Sequence, residues 1–291
     1  MNDNADISKP RRKAADILTE YPVVAKNLAF RFGWRKTILE GISLALKKGE
    51  FVGLIGGSGS GKTTLLTCLN GHRRPSDGEV AINGETGRPT EKIRRLIGYV
   101  PQDDIVHKTL TVERALHYAC LLRLDEATPE EKIEYRVGKI LYQLDLRDHK
   151  DKKIGSLSGG QRKRVNIGVE LLHSPRLFFL DEPTAGLDPG LERQLMKLMA
   201  ALAKSDRTVV MTTHLMQHAD MFDILIFIHK GRMVYFGPSE AITEFFRVKD
   251  LVELFEKVMP ADPDDLRNRY YQSAVCRKHL LPRLDFPIYV Q

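Results

Sequence analysis

A glycine-rich loop between a strand-like run and a helix-like run constrains the fold of this chain more than any other stretch. Residues 51 to 64 read FVGLIGGSGSGKTT, which fits an apolar strand, the pattern G-x-x-x-x-G-K-[ST] and the start of a helix. The glycines let the backbone curl so that successive N–H groups converge on one anion, and the N-terminus of a helix adds a positive field there. The sequence therefore predicts a phosphate-binding loop at the end of a strand.

Two side chains at the end of this loop have the chemistry that a nucleotide polyphosphate requires. Lys62 can reach the β and γ phosphates, and the hydroxyl of Thr63 can ligate Mg²⁺. A glycine turn with an incidental lysine is the alternative, but the placement between a strand and a helix disfavours it. We therefore expect ATP and Mg²⁺ as the ligands of this loop.

A second stretch supplies the carboxylates that such a loop needs for its metal ion. Residues 176 to 183 read RLFFLDEP, where four consecutive apolar residues indicate a parallel strand that is buried on both faces. Asp181 lies where that strand emerges and suits Mg²⁺ through a water molecule. Glu182 follows and is placed to polarise an attacking water. The pair predicts hydrolysis by water, without a covalent intermediate.

Another glycine-rich loop, LSGGQRKR at residues 157 to 164, opens a further helical run. Ser158 is a natural helix cap, and Gly159 and Gly160 expose backbone N–H groups at the helix N-terminus. This second phosphate cradle has no lysine of its own, and one ATP has a single γ-phosphate. The economical interpretation is that the loop covers the nucleotide bound to another copy of the chain.

Composition narrows the class of protein. Hydrophobic residues make up 42% of the 291 residues, which is ordinary for a globular protein. No apolar run approaches the roughly 18 residues of a spanning helix and no signal-peptide pattern opens the chain, so we expect neither a membrane span nor secretion. The three scattered cysteines argue against a disulfide framework or a cysteine zinc site. The net charge of +7 suits a polyanionic partner, although a solvated basic surface is the simpler interpretation.

Hydrophobic periodicity divides the chain into segments. Residues 1–20 are expected to form a disordered tail, and β-type runs such as VVAKNLAFRF and GISLALKKGE fill residues 21–100 around a helix that starts at Lys62. Amphipathic helical runs occupy residues 105–150. A second stretch of alternating strands and helices follows, and residues 247–291 read as helices.

These motifs, in this order, resemble those of the nucleotide-binding domains of ABC transporters. The matching elements are GGSGSGKT, LSGGQ, LFFLDE, Gln102 in YVPQDD, Asp188 in AGLD, His214 in TTH and an aromatic residue upstream of the first loop. The resemblance covers residues 21–246, and LSGGQ between the two phosphate-site motifs is found in essentially no other class of P-loop protein. It implies an α/β P-loop NTPase fold of the ABC ATPase type, with a mainly parallel sheet core, an antiparallel β-subdomain and a helical subdomain near residues 104–164.

The resemblance also implies roles for individual residues. Phe32 would stack on adenine, and Gln102 would sense Mg²⁺ and the γ-phosphate and link to a membrane partner. Asp188 would tie two monomers together, and His214 would hold the γ-phosphate and orient Glu182. The implied catalytic residues are Lys62, Gln102, Glu182 and His214, and the implied metal ligands are Thr63, Gln102 and Asp181. The implied nucleotide contacts are Phe32, Gly56, Gly57, Ser58, Gly59, Ser60, Gly61, Lys62, Thr63, Thr64, Gln102, Ser158, Gly159, Gly160, Gln161, Asp188 and His214.

Two of these assignments have alternatives. Trp34 lies close to Phe32 and could be the stacking residue instead, and either aromatic could belong to the core. His214 and His218 are four residues apart, a spacing that can grip a metal ion on a helix. A third ligand for such a metal is not evident, and His214 follows a strand-like run where the family has its switch histidine.

Within the family, the runs LTVERALHYACLLRL, DEPTAGLDPG and GRMVYFGPSEAITEFF resemble the G-subfamily, the White-type half-transporters. The signature LSGGQRKR departs from the VSGGERKR of many eukaryotic members and favours the bacterial relatives. In that subfamily the ATPase precedes a membrane domain, so residues 247–291 are expected to be a helical extension or a linker towards one. That membrane domain could lie on the same chain or on a separate subunit.

The function implied is that of the ATP-hydrolysing motor of an exporter, homodimeric in the ATP state and cytoplasmic, at the inner face of the membrane. The alternative is a soluble ABC ATPase that acts on nucleic acid or ribosomes. A single cassette without a long inserted coiled coil disfavours that alternative, and no basic strand surface with interleaved aromatics is visible, so no nucleic-acid partner is expected. A P-loop kinase is weaker still, because LSGGQ and His214 would have no role in it.

Overall fold

The computed structural model describes residues 20–33, 36–125, 127–214 and 218–284. The tail predicted for residues 1–20 falls outside these ranges apart from Glu20, and so does Trp34. No helix within the described ranges is both long enough and apolar enough to cross a membrane.

A six-stranded sheet forms the core, in the order β10-β9-β3-β8-β7-β6. Its strands are β3 (Phe51–Ile55), β6 (Ile97–Val100), β7 (Leu177–Leu180), β8 (Thr208–Thr212), β9 (Ile224–His229) and β10 (Arg232–Gly237). The pairs from β9 to β6 are parallel, and the β9–β10 hairpin adds the antiparallel edge. Every residue of β3, β7, β8 and β9 is buried, as expected for parallel strands that are covered on both faces.

A four-stranded antiparallel sheet packs beside this core in the order β2-β1-β4-β5. Its strands are β1 (Val23–Phe32), β2 (Lys36–Leu46), β4 (Asp77–Ile82) and β5 (Glu85–Thr86). The β-type run predicted from residues 41 to 50 is wrong in its bounds, because β2 starts earlier and ends at Leu46. A turn follows, in which the Glu50 N–H donates to the Lys47 carbonyl at 3.3 Å and Gly49 has a φ of 81°.

The first six helices lie between strands in chain order, and the remaining helices follow β10. The helices are α1 (Lys62–Leu69), α2 (Glu91–Arg94), α3 (Val112–Arg123), α4 (Glu130–Gln143), α5 (Gly159–Leu171), α6 (Pro189–Lys204), α7 (Ile242–Phe246), α8 (Leu251–Val258), α9 (Pro263–Tyr271), α10 (Ala274–His279) and α11 (Leu281–Leu284). Helices α3, α4 and α5 pack on one another through a buried apolar face, as their periodicity predicts. The mixed α/β architecture with its two sheets confirms the predicted fold class.

The C-terminal helices pack against the core rather than leaving it. The buried Tyr270 of α9 donates its hydroxyl to the Phe236 carbonyl at 2.7 Å. Arg283 makes a bidentate ion pair with Glu50, at 2.9 and 2.7 Å, just before β3. Met259 lies so close to the first glycine loop that a Cβ on Gly57 would be 3.0 Å from its side chain. These contacts join the C-terminal helices to strand β10, to the residue before β3 and to the loop after β3.

Candidate nucleotide-binding site

The P-loop, residues 56–63, links the carboxyl end of β3 to the N-terminus of α1. Three of its glycines have positive φ, namely Gly56 at 153°, Gly59 at 70° and Gly61 at 107°. A Cβ on Gly56 would lie 2.2 Å from the Ile228 carbonyl oxygen, so no larger residue fits there. Gly61 is the N-cap of α1 and offers no side-chain cap, which leaves the first N–H groups of the helix for an anion.

The Lys62 side chain folds back over this loop. Its Nζ donates to the carbonyls of Gly56 at 2.9 Å and Gly57 at 3.0 Å. Burial lowers the pKa of the Lys62 ammonium, and the nearby carboxylates of Glu182 and Asp181 oppose that shift. The lysine therefore brings a positive charge into a loop whose backbone N–H groups are already arranged for an anion.

Asp181 joins the P-loop to the end of β7. The Thr63 hydroxyl donates to Asp181 Oδ1 at 3.1 Å, and the hydroxyl of Thr212, at the end of β8, donates to the same oxygen at 2.6 Å. Asp181 is buried, and these two hydrogen bonds hold its carboxylate between the start of α1 and the end of β8. Hydroxyl and carboxylate oxygens are the ligands that a small, hard cation such as Mg²⁺ prefers, and Thr63 and Asp181 fit that ion.

Glu182 and His214 are in direct contact. His214 Nε2 lies 2.5 Å from Glu182 Oε1. The Glu182 backbone has a φ of 46°, in the left-handed region, and its N–H donates to the Thr212 hydroxyl at 2.8 Å. Such a strained backbone is typical of functional positions. Thr212 therefore holds the Asp181 carboxylate and the Glu182 backbone, a role that sequence reasoning missed although the residue lies two positions before His214.

The four-residue spacing of His214 and His218 does not produce a shared metal site. His218 Nε2 faces Glu192 of α6 at 3.7 Å, whereas His214 faces Glu182. Within the described ranges, no group of three His, Cys, Asp or Glu side chains is arranged to hold a metal ion. The metal alternative for the two histidines is therefore not supported.

The signature loop, residues 157–161, opens α5 with a complete capping box. Ser158 accepts from the Gln161 N–H at 3.2 Å, and the Gln161 side chain accepts from the Ser158 N–H at 3.0 Å, so the predicted cap is confirmed. The Gln161 amide also contacts His149 Nε2 at 2.9 Å. A Cβ on Gly160 would lie 2.9 Å from Leu187. Among the described residues, no hydrogen bond or ion pair joins this loop to the P-loop.

The remaining predicted residues lie around these elements. Asp188 is the N-cap of α6 and accepts from the N–H groups of Gly190 at 3.0 Å and Leu191 at 3.1 Å, a structural role that sequence reasoning missed. Gln102 is exposed and follows β6. Phe32 ends β1 with 71% of its surface exposed, as a stacking platform requires, and the alternative residue Trp34 lies outside the described ranges.

Comparison with known proteins identifies the family. The profile described as ABC transporter matches residues 39–185, half of the chain. The ABC transporter ATP-binding/permease protein Rv1747 of Mycobacterium tuberculosis is 40% identical over 237 residues, which are 81% of this chain and 27% of that protein. ABC transporter G family member 1 of Arabidopsis thaliana is 36% identical over 246 residues, 81% of this chain and 32% of that protein. The chain thus spans about a third or less of the length of these curated relatives.

A solved structure shows the same fold. The dimeric post-hydrolysis state of the ATP-binding cassette MJ0796 bound to ADP and Pi superposes with a TM-score of 0.69 at 28% identity, over 75% of this chain and 98% of that one. The profile match covers the P-loop, the signature helix and the carboxylate pair, which are the elements that build the site described above. The chain therefore belongs to the ABC transporter family and forms an ABC ATPase cassette.

Proposed function

We propose that this cassette hydrolyses ATP with Mg²⁺ at two sites, each shared between two copies of the chain, and so drives a membrane-spanning partner. The observation that carries the chemistry is the contact of 2.5 Å between Glu182 and His214, beside the Asp181 and Thr63 pair. When bound, Mg²⁺ would neutralise charge on the phosphates. Thr63 and Asp181, with Gln102, would hold it there.

The protein side chains would divide the remaining work. Lys62 and the N–H groups of the P-loop would bind the β and γ phosphates. Glu182 would accept a proton from the attacking water, and His214 would keep the Glu182 carboxylate in place while it contacts the γ-phosphate. Phe32 would stack on the adenine. Because Glu182 only takes a proton, no bond would form between phosphate and protein.

This mechanism is tested by the products of turnover. ATP hydrolysis by the chain should require Mg²⁺ and fall to background when the ion is chelated. After incubation with γ-labelled ATP and denaturation, the protein should carry no label. A labelled protein would indicate a phosphoenzyme, and hydrolysis that persists in a chelator would contradict the role of Asp181 and Thr63.

The two-site arrangement is supported by the signature loop. Ser158 is the N-cap of α5, and within the described part of the chain no acceptor contacts the N–H groups of Gly159 and Gly160. An anion could accept hydrogen bonds from both N–H groups. Since, among the described residues, the P-loop of the same chain makes no hydrogen bond to this loop, the phosphate of an ATP bound to a second copy is the natural ligand. MJ0796, which has the same fold, is a dimeric cassette.

The membrane partner is expected to contact helix α3 and the loop before it. Large apolar side chains are exposed there, with Leu122 87% exposed and Ile105, Tyr118 and Leu121 about half exposed. Adjacent exposed apolar side chains on one helix are typical of an interaction surface. The curated relatives named above are an ATP-binding/permease protein and an ABC transporter G family member. On that basis we propose that this chain works at the inner face of a membrane, as the motor of an exporter-type half-transporter.

Cysteine crosslinking tests this contact, and the chain suits it because Cys68, Cys120 and Cys276 are buried. We expect Leu122→Cys to crosslink to the cognate membrane domain. Glu85→Cys, exposed on strand β5 of the antiparallel sheet, is the matched control and should not. Crosslinks from Glu85→Cys alone would contradict the assignment of α3 as the contact with the membrane partner. Binding of the cassette to RNA or ribosomes instead would favour the alternative function.

A further inference from the structure

The loop that carries Gln102, residues 101–105, is tied to the first turns of the signature helix α5 by one buried lysine. Lys163 Nζ donates to the carbonyl of Gln102 at 2.8 Å and to that of Pro101 at 3.0 Å. The Lys163 residue is only 6% exposed. Two backbone carbonyls of the loop are therefore satisfied by a charged group of the helix.

Further contacts join the same two segments. The Ile105 N–H donates to Asn166 Oδ1 at 2.9 Å, and the Asn166 amide donates to Asp104 Oδ1 at 2.8 Å. Arg162 donates to Asp104 Oδ2 at 3.2 Å. The side chain of Gln102, by contrast, is exposed. Helix α5 thus holds the backbone of the loop, while the side-chain amide of Gln102 remains accessible to a ligand.

Stability alone does not account for Lys163. In the described part of the chain no carboxylate lies within the 4.0 Å of an ion pair with this ammonium. Burial lowers the pKa of Lys163, against the attraction of the carboxylates of Asp104, Asp181, Asp103 and Glu182. Burying a cation costs free energy, and an apolar side chain of similar length is often as stable. What the lysine provides is a directional tie to the two carbonyls.

We propose that Lys163 is a positioning residue, which locks the Gln102 loop to the signature helix so that Gln102 and Ser158 move as one rigid unit. The inference rests on the proposed roles of Gln102 at the Mg²⁺ ion and of Ser158 in the shared site. Docking of a second copy on Ser158 then sets the position of the Gln102 amide. The Mg²⁺ requirement of hydrolysis consequently depends on Lys163, whose hydrogen bonds among the described residues go to the carbonyls of this loop.

The test compares Lys163→Met with a matched control, Lys257→Met. Lys257 likewise donates to two backbone carbonyls, of Phe246 at 2.8 Å and Arg247 at 3.3 Å, but lies in the C-terminal helices. For Lys163→Met we expect the Mg²⁺ concentration at half-maximal hydrolysis to rise and kcat to fall, each by about tenfold, as for residues that orient metal ligands. ATP affinity measured without Mg²⁺ should stay within about twofold of the parent.

Lys163→Arg, which retains donors and charge, should recover part of the Mg²⁺ response, and Lys257→Met should leave it unchanged. A parental Mg²⁺ response in Lys163→Met overturns the inference. If Lys163→Met does not fold, Asp104→Ala replaces it, because Asp104 is exposed and belongs to the same set of contacts. A rise of about threefold in the Mg²⁺ requirement is then expected, and an unchanged value overturns the proposal.

Amide hydrogen exchange separates failure of this inference from failure of the proposed function, because it needs no turnover. Residues 102–105 should exchange faster in Lys163→Met than in the parent or in Lys257→Met. If the parent chain does not hydrolyse ATP, the proposed function fails, and the exchange rates still decide whether Lys163 holds the loop. Equal exchange in all three proteins shows that it does not.

Discussion

Replacing Glu182 with Gln is expected to stop ATP turnover and to leave two copies of the chain associated around bound ATP. The amide keeps the shape and the contact with His214, 2.5 Å away in the parent, but it cannot accept a proton from water. Loss of a general base typically lowers kcat by about 10²- to 10⁴-fold. Because the binding contacts remain, ATP persists and the dimer accumulates. Phosphate release and size-exclusion chromatography with light scattering measure the two effects.

Glu192→Gln is the matched control for this substitution. Glu192, like Glu182, faces a histidine, His218 at 3.7 Å, but it lies on α6, and among the described residues it makes no hydrogen bond or ion pair with Thr63 or Asp181. It should retain turnover within a few-fold and form no persistent dimer. Equal loss of turnover in both variants would show that hydrolysis depends on the negative charge of this region, and not on a proton acceptor at Glu182.

The shared site predicts a second result for the same protein. Adding Ser158→Arg to Glu182→Gln should abolish the ATP-dependent dimer, since bulk and charge would enter the phosphate cradle at the start of α5. The parent chain without nucleotide is expected to be monomeric. Either a Glu182→Gln protein that stays monomeric at saturating ATP or a double variant that still dimerises refutes the shared site.

Replacing Lys62 with Ala should weaken ATP binding by about 10- to 100-fold in a calorimetric titration. The substitution removes a charge-assisted hydrogen bond to phosphate, and such bonds to charged groups contribute about 1.5 to 3 kcal/mol. Lys62 also contacts the carbonyls of Gly56 and Gly57, so the loop should lose part of its preorganised shape.

Lys48→Ala serves as the control for that titration, because Lys48 lies on the surface in an ion pair with Asp206. It removes the same net charge without touching the loop, and its ATP affinity should match the parent. If Lys62→Ala bound ATP as well as the parent, the P-loop assignment would be wrong.

What could be read from the sequence was local in the chain. The P-loop is a run of adjacent residues, so its glycines and the helix start at Lys62 needed no knowledge of the fold. The same holds for the Ser158 cap, whose partner Gln161 is three residues away. Strand β7 could be predicted because four adjacent apolar residues followed by Asp-Glu-Pro are typical of a strand that is buried on both faces.

The tertiary structure decided what depends on the order of the strands. Thr63 meets Asp181, 118 residues away, because β8 lies between β3 and β7 in the sheet and brings their ends to one edge. That order also lets the Thr212 hydroxyl hydrogen-bond to the Asp181 carboxylate and the Glu182 N–H. Strand order cannot be read from a sequence when the connections between strands are long. Equally, no local pattern pairs Lys163 with Gln102, or Arg283 with Glu50.

The sequence by itself thus determined which groups can bind phosphate, a metal ion and water, since that chemistry belongs to residue types at short spacing. Only the tertiary structure decided which of them share a site and what holds them. Contacts such as Lys163 with Gln102 form between segments separated by 61 residues, and the packing of α5 against the end of β6 creates them. Short-range patterns carry no information on such contacts, because packing of distant elements, and not local conformation, sets them.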